Sequence, residues 1–453
     1  MRYFPCVALA LLVMTGMAAA EDADQDRIKQ LETRIEELER RLTAASPQGS
    51  APEIEELRRQ LTILAEEIEK LRSEGEKVEE MTEAQRRSLG LGPAAASVYS
   101  RKHGVSLAGY GEMLYENFDE ATDAGASSGK VDQLDFVRAI VYFGHRFNDR
   151  VLFNSELEFE HASTGSGGEV SVEFAYLDYR LRDSASLRGG MLLIPMGLVN
   201  EFHEPTVYLG TRRPVTESLI LPSTWRENGF GVVGRAGMFD YRAYVVNGLN
   251  AGGFSSSGLR GGRQKGAAAK LRSPSFVGRA DITPTAGLLV GGSLYAGNSG
   301  LFSPTSNPSL EVKTLIGELH GEYRAHGLEL RALYARASLD NVAALNRALN
   351  LTGSASVGET LSGGYVQAGY DLLAGRGKSG WSVTPYFRYE QVNTQSEVPE
   401  GFTINPAREQ SVRTVGVEVR PIFQVVVKAD YQMNDTEAGT GVDQWNISLG
   451  YSF

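Results

Sequence analysis

The chain ends on Asp443-Gln444-Trp445-Asn446-Ile447-Ser448-Leu449-Gly450-Tyr451-Ser452-Phe453. Trp445, Ile447, Leu449, Tyr451 and Phe453 fall on one face of an extended strand, and Asn446, Ser448, Gly450 and Ser452 on the other. Successive side chains of a strand point to opposite faces, so one face is apolar and aromatic while the other is small and polar. Chain ends in water normally fray, and a bare aromatic terminus is unusual there. The pattern suits a strand with lipid on one side and water on the other.

The same alternation recurs upstream. Phe153, Leu157 and Phe159 alternate with Asn154, Glu156, Glu158 and Glu160. Leu315, Leu319 and Tyr323 oppose Glu318, His320, Glu322 and Arg324; Leu328, Leu330 and Tyr334 oppose Glu329 and Arg331. Val425, Val427, Ala429 and Tyr431 oppose Gln424, Lys428, Asp430 and Gln432. From Val105 onward sixteen candidate strands can be marked, joined alternately by short turns and longer connections. An even strand number with short turns at one end and long loops at the other is the pattern of an outer-membrane barrel. The fold class read from residues 105–453 is therefore all-β, a sixteen-stranded antiparallel transmembrane barrel. Its charged face would line a lumen wide enough to hold a channel.

The N-terminus reads differently. Residues 1–20 have Arg2, an apolar stretch and Ala18-Ala19-Ala20 before Glu21, the form of a secretory signal peptide. The single cysteine, Cys6, lies within it, so the mature chain has none. In residues 21–88, Ile28, Leu31, Ile35, Leu38 and Leu42, and then Ile54, Leu57, Leu61, Leu64, Ile68 and Leu71, step by three and four among charges. That spacing predicts an α-helical coiled coil, broken near 44–52 by two prolines and a glycine. Its first heptads lean towards two strands. Residues 89–104 read as a linker. With both barrel ends on the short-turn side, the coil would stand in the periplasm.

The longest connection with its flanks, Leu192 to Gly234, carries Val207, Tyr208, Leu219, Ile220, Leu221 and Trp225, which is odd for a loop in water. Such a loop folds back on shelter, and the barrel interior is the nearest. Within it, Pro195-Met196-Gly197-Leu198-Val199-Asn200-Glu201-Phe202-His203-Glu204-Pro205, Arg212-Arg213-Pro214-Val215-Thr216-Glu217 and Leu221-Pro222-Ser223-Thr224-Trp225-Arg226-Glu227-Asn228-Gly229-Phe230-Gly231 resemble segments of the outer-membrane porins grouped with the phosphate-selective porins O and P. The prefixed coiled coil resembles the trimeric, carboxylate-taking branch of that group. The likeness is loose over the barrel and close over 192–234. It implies an inward-folded loop 197–228 that narrows the pore. The constriction residues it implies are Arg212, Arg213, Arg226, Glu201, His203, Glu204, Glu217 and Glu227.

Arginine keeps its charge and presents a fork to carboxylate or phosphate, and rings of such charges select ions. Equally, these arginines could pair with the neighbouring glutamates and only pin the loop. Phosphate-selective members carry an arginine ladder down the lumen. Here the wall residues Glu156, Glu158, Glu160, Glu318, His320, Glu322, Arg324, Glu329, Arg331, Lys428 and Asp430 mix signs, which points away from phosphate.

Formal charge is −11 with 45 basic and 56 acidic residues, which argues against nucleic acid as a partner. Gly229-Phe230-Gly231-Val232-Val233-Gly234 fits a dinucleotide fingerprint but follows a polar loop and enters a strand, the wrong context. None of the six histidines is spaced for a metal, and no cofactor motif is present. The sequence thus predicts no enzyme. It predicts a porin for small hydrophilic solutes in outer-membrane lipid, favouring small anions such as carboxylates; the resemblance implies a homotrimer. Three rivals stay open. The glutamate rows could make the pore cation-leaning or unselective. The barrel could anchor a coiled coil that tethers the cell wall. A lipid-facing His161 with a serine could make a barrel hydrolase.

Overall fold

The computed structural model describes residues 81–100, 104–162, 167–271, 274–300, 310–375 and 380–453, with parts of 30–41 and 55–66. The expected signal peptide and the helix break at 44–52 lie outside the described residues. Where described, 30–41 and 55–66 are helical, and Leu31, Ile35, Leu38, Leu61 and Leu64 are the less exposed positions.

The strands are β1 (Gly104–Phe118), β2 (Gln133–Arg146), β3 (Val151–Glu160), β4 (Val170–Arg182), β5 (Ala185–Leu193), β6 (Arg226–Ala236), β7 (Phe239–Val246), β8 (Ser275–Thr285), β9 (Leu288–Asn298), β10 (Lys313–Ala325), β11 (Leu328–Leu339), β12 (Thr360–Tyr370), β13 (Ser382–Glu397), β14 (Glu409–Ile422), β15 (Val425–Thr436) and β16 (Gln444–Ser452). Each pairs antiparallel with its sequence neighbours, and β1 pairs with β16, closing the barrel. Closure is completed by reciprocal bonds of 2.9 Å between the backbones of Gly109 and Phe453. A sheet with no edge leaves no backbone group unpaired, which is the condition for strands to cross a bilayer. The alternation holds around the wall: Leu107, Phe143, Leu177, Phe230, Leu319, Val366 and Trp445 are exposed, while Ser106, Tyr142, Asp178, His320, Gln367 and Asn446 are buried. The six-residue stretch 229–234, with its three glycines, lies within β6, as the strand reading expected.

Two segments fill the interior. The first is the β5–β6 connection, 194–225, three residues earlier than expected at each end. Its apolar residues are the reason it folds inward. Ile220, Leu221 and Trp225 are wholly buried, Tyr208 nearly so, and the Trp225 ring lies 4.9 Å from that of Tyr295. Full burial of such side chains is worth about 1.5–3 kcal/mol each.

The second segment corrects the linker expectation for 89–104. Helices α1 (Glu83–Leu89) and α2 (Pro93–Ser100) form a hairpin inside the barrel. Thr82 and Gln85 make a reciprocal capping box at the start of α1, and Gly90, at φ 66°, closes its end. A left-handed residue there ends a helix at little cost only in glycine. Helix α2 buries Ala94, Ala95, Ala96 and Val98 against β1, β2 and β3, its last turn leading to β1. The run Leu89 to Ser100 looked like a linker because a stretch of small residues shows no helical periodicity. Small residues are what allow a helix to fit against the inner wall.

Candidate functional site: the lumenal constriction

The inward loop is stapled at its base by Asn200. Its side-chain amide donates to Ile194 O (2.7 Å) and Trp225 O (2.9 Å), and its Oδ1 accepts from Trp225 N (2.6 Å). A short helix, α3 (Val215–Leu219), carries Glu217, whose carboxylate accepts from Val199 N at 2.7 Å and from the Tyr365 hydroxyl at 2.7 Å. Further along, wall cations hold the loop's carbonyls. Arg331 and Arg324 donate to Val207 O at 2.6 and 3.2 Å, and Lys428 to Tyr208 O (2.7 Å) and Gly210 O (3.0 Å). Asp430 accepts from Thr211 N at 2.8 Å. Lys428, Arg331 and Asp430, expected on the lumen wall, are thus engaged in positioning the loop.

The sequence expected eight charged residues on and beside this loop to line the constriction, and that expectation is corrected for six of them. Arg226 is buried and paired with Glu173 at 3.0 Å. Glu201 pairs with Arg242 at 3.2 Å. Glu204 accepts the N–H groups of Ala94 and Ala95 at 3.0 and 3.1 Å. Glu227 accepts from Asn247, Gln264 N and the Trp225 indole. Glu217 and His203 are buried as well. The physical reason is common to all six: the loop fills the lumen, and a charge taken from water there must be paired or hydrogen-bonded. Arg212 is exposed, beside Glu116, and Arg213 is half-buried, donating to Thr224 Oγ1 at 3.0 Å.

The β7–β8 connection brings two arginines that the sequence reading missed. Arg260 is exposed and Arg263 half-buried; Arg263 donates to Thr224 O and, at 3.0 Å, to Arg260 O. Among the described residues neither they nor Arg213 has a carboxylate partner. They lie close enough to interact: partial loss of water inside the lumen, although Arg260 keeps an exposed face, and then Arg263, Arg213 and Arg138 push the Arg260 guanidinium down to about 9. Burial and then Arg226 lower Arg263 to about 10. No sequence signal tied 260–263 to 212–213, because separate loops converge only in three dimensions.

The wall carboxylates are largely answered by cations. Glu158 lies 3.4 Å from Arg138. Glu322 pairs with Arg331 at 3.0 Å, with Arg324 at 3.4 Å and with Arg87 of α1. Glu329 pairs with Arg324 and Arg331 at 3.2 and 3.0 Å. His320 sits between Glu318 (2.9 Å) and Asp281 (3.1 Å). Glu160 is half-buried and has no ion pair among the described residues. Glu156 faces His203 Nε2 at 3.1 Å, and Glu173 faces the same nitrogen at 3.1 Å. Burial alone would lower the His203 imidazole, but Glu156 and Glu173 outweigh it and push it up to about 10. Burial raises Glu204 to about 7 against the pull of the Ala94 and Ala95 N–H groups. His161, at the end of β3, bonds Asp135 at 2.7 Å.

Helices α1 and α2 pack on the lumen wall, α1 against β6 and β7 and α2 against β1, β2 and β3. Arg188 donates to Leu89 O at 3.0 Å and Arg242 to Arg87 O, so wall arginines meet the carbonyl end of α1. Tyr99 of α2 donates to Asp178 at 3.0 Å. Between α1, the inward loop and β10–β14 a cavity of about 500 Å³ opens near the short-turn end, with Arg86, Glu329, Asp371 and Arg420 on its walls.

A closed sixteen-stranded barrel narrowed by a loop folded into its lumen defines the class of the molecule: a barrel with the porin fold. The outer-membrane channel DcaP of Acinetobacter baumannii is similar over 77% of this chain and 97% of its own, with a TM-score of 0.51 and 14% identity. OmpF of Salmonella typhi, solved in complex with daunomycin, matches 78% of this chain and 98% of its own at a TM-score of 0.50 and 13% identity. No family model matches the sequence. The chain belongs to the same family as an uncharacterized protein of Aquifex aeolicus (strain VF5), with 34% identity over 386 residues, 82% of this chain and 85% of that one.

Proposed function

We propose that this chain is an outer-membrane porin for passive diffusion of small hydrophilic solutes, and that it favours small anions such as carboxylates. One observation carries the preference: Arg213, Arg260 and Arg263 converge at the constriction without a carboxylate partner among the described residues, while most wall glutamates are paired. Uncompensated guanidinium groups attract an anion entering a low-dielectric passage and repel a cation. Reversal potential across a planar bilayer under a salt gradient tests the reading; anion sign supports it. Cation sign would favour the second reading, for which Glu160, without an ion pair among the described residues, speaks.

The seam at Leu31, Ile35, Leu38, Leu61 and Leu64 supports a coiled coil over 21–88. The resemblance of the prefixed coil to that of the trimeric, carboxylate-taking porins supports a homotrimer with the coil in the periplasm. Crosslinking of the detergent-extracted protein tests the trimer. In the rival reading the coil is a cell-wall tether. Removing residues 21–80 distinguishes the two: a porin keeps conductance, and a tether loses its attachment while the barrel survives.

A further inference from the structure

The geometry points to a divalent transition-metal site, of the zinc class, formed by Glu156, Glu173 and His203. The three ligand atoms lie within 4.8 Å of one another. His203 Nε2 is 3.1 Å from Glu156 Oε1 and 3.1 Å from Glu173 Oε2. Bonds of about 2.0–2.2 Å at tetrahedral angles put neighbouring ligand atoms about 3.3–3.6 Å apart, so a movement of a few tenths of an ångström at His203 admits an ion.

The surroundings are those of a ligand set. His203 Nδ1 lies 2.9 Å from Asn200 O, a contact that keeps a proton on Nδ1, so that Nε2, which faces the two carboxylates, is the nitrogen that would give up its proton to an ion. Arg226 holds the other oxygen of Glu173 at 3.0 Å and fixes that carboxylate's orientation. Glu156 and Glu173 are 0% and 1% exposed, yet among the described residues Glu156 Oε2 has no hydrogen-bond partner, and Glu173 Oε2 has only the off-line ion contact with His203 Nε2. Buried carboxylate oxygens are costly when unsatisfied. An imidazolium N–H can point at only one of two carboxylates at a time; a cation between them answers both. One nitrogen and two oxygen ligands suit zinc, with a fourth position for water.

The bulge in β4 makes the site. Glu156 is registered with Phe174 and Leu157 with Val172, so Glu173 is the extra residue between them. By alternation from Leu177 and Ala175, Glu173 would face lipid; the bulge turns it and Phe174 both inward, and both are buried. Bulges re-aim side chains in this way, often beside functional sites. The bound ion would join β3, β4 and the inward loop, and so lock the constriction. This inference stands whether or not the pore selects anions.

The test uses the full chain in detergent, stripped with a chelator and titrated with Zn²⁺ by calorimetry, with metal content measured after desalting. One zinc per chain is expected. His203→Ala and Glu173→Gln should each weaken binding at least about tenfold, the scale on which ligand-shell changes act. His326→Asn, in a distant turn with φ 53° that asparagine tolerates, should bind as the parent does. Resistance of the barrel band to unfolding in gels verifies that each variant is folded. Cobalt substitution gives a second readout, since the site's ligand-field spectrum should vanish in Glu173→Gln. Zinc binding that survives in folded His203→Ala, or a wild-type chain that takes up no zinc, overturns the assignment and leaves an imidazolium clasp in its place.

Discussion

Glu204, on the inward loop, accepts the backbone N–H groups of Ala94 and Ala95 at the first turn of α2. One carboxylate therefore joins the two segments that fill the lumen, and it meets α2 at the end where free N–H groups and the helix dipole favour a negative charge. The hairpin is then part of the pore's resistance. Removing residues 21–100 should raise single-channel conductance about twofold or more, because the passage loses its second constriction. Glu204→Ala should raise current noise with a smaller mean change. Equal conductance with and without the hairpin would show that it lies outside the conducting path.

Glu217 gives the loop a pH dependence. Burial raises it from 4.5 to about 7, against bonds from Tyr365 and Val199 N, with Glu318 raising it further and His320 opposing. A carboxyl whose folded pKa is raised binds a proton more tightly in the folded state. Its contribution is therefore most favourable below about pH 4.5, is lost as pH rises through 7, and is flat above that. The span is about 3 kcal/mol as an order of magnitude. Glu217→Gln keeps an acceptor for Val199 N and turns its amide towards the Tyr365 hydroxyl, which can accept. Its urea midpoint should match the parent's near pH 5 and exceed it at pH 8; a midpoint difference independent of pH would refute the assignment.

Much of the wall was legible before any coordinates. Trp445 to Phe453 and the rows around Phe153 and Leu319 alternate because lipid and water select opposite side chains at period two. What escaped has physical causes. Glu173 reverses its face at a bulge, which no strict alternation can reveal. Arg260 and Arg263 meet Arg213 only because two loops converge. Ala94 to Ala96 carry no amphipathic signature, since the inner wall accepts them for their size. Charge identity on the loop was readable, but whether a charge was paired depended on neighbours distant in sequence.

The arginine group separates solute selection from loop architecture. Replacing Arg213, Arg260 and Arg263 together with glutamine removes three uncompensated positive charges and leaves the loop's carbonyl clamps from Arg331 and Lys428 in place. The reversal potential should shift towards cation sign, with the largest effect at low salt, where screening is weakest. Arg212→Gln should shift it less, since Glu116 answers that charge. An unchanged reversal potential in the triple variant would remove these residues from selectivity.

Arg226 should behave in the opposite way. Its guanidinium donates to Glu173 at 3.0 Å and to Ser171 at 2.9 Å, and it is almost wholly buried. Arg226→Met takes away one partner of a buried pair and leaves Glu173 only His203, which it shares with Glu156; breaking a buried pair typically costs about 3–5 kcal/mol, and the shared imidazole offsets part of that. Ion selectivity should hardly move, because the charge faces no solute. Replacing both partners, Arg226→Met with Glu173→Gln, removes the stranded charge and should recover most of the loss, since a buried pair exchanged whole is close to neutral. Urea unfolding of the single and double variants gives the coupling between the two residues. A selectivity change in Arg226→Met, with no loss of stability, would mean that the arginine faces the conducting path after all.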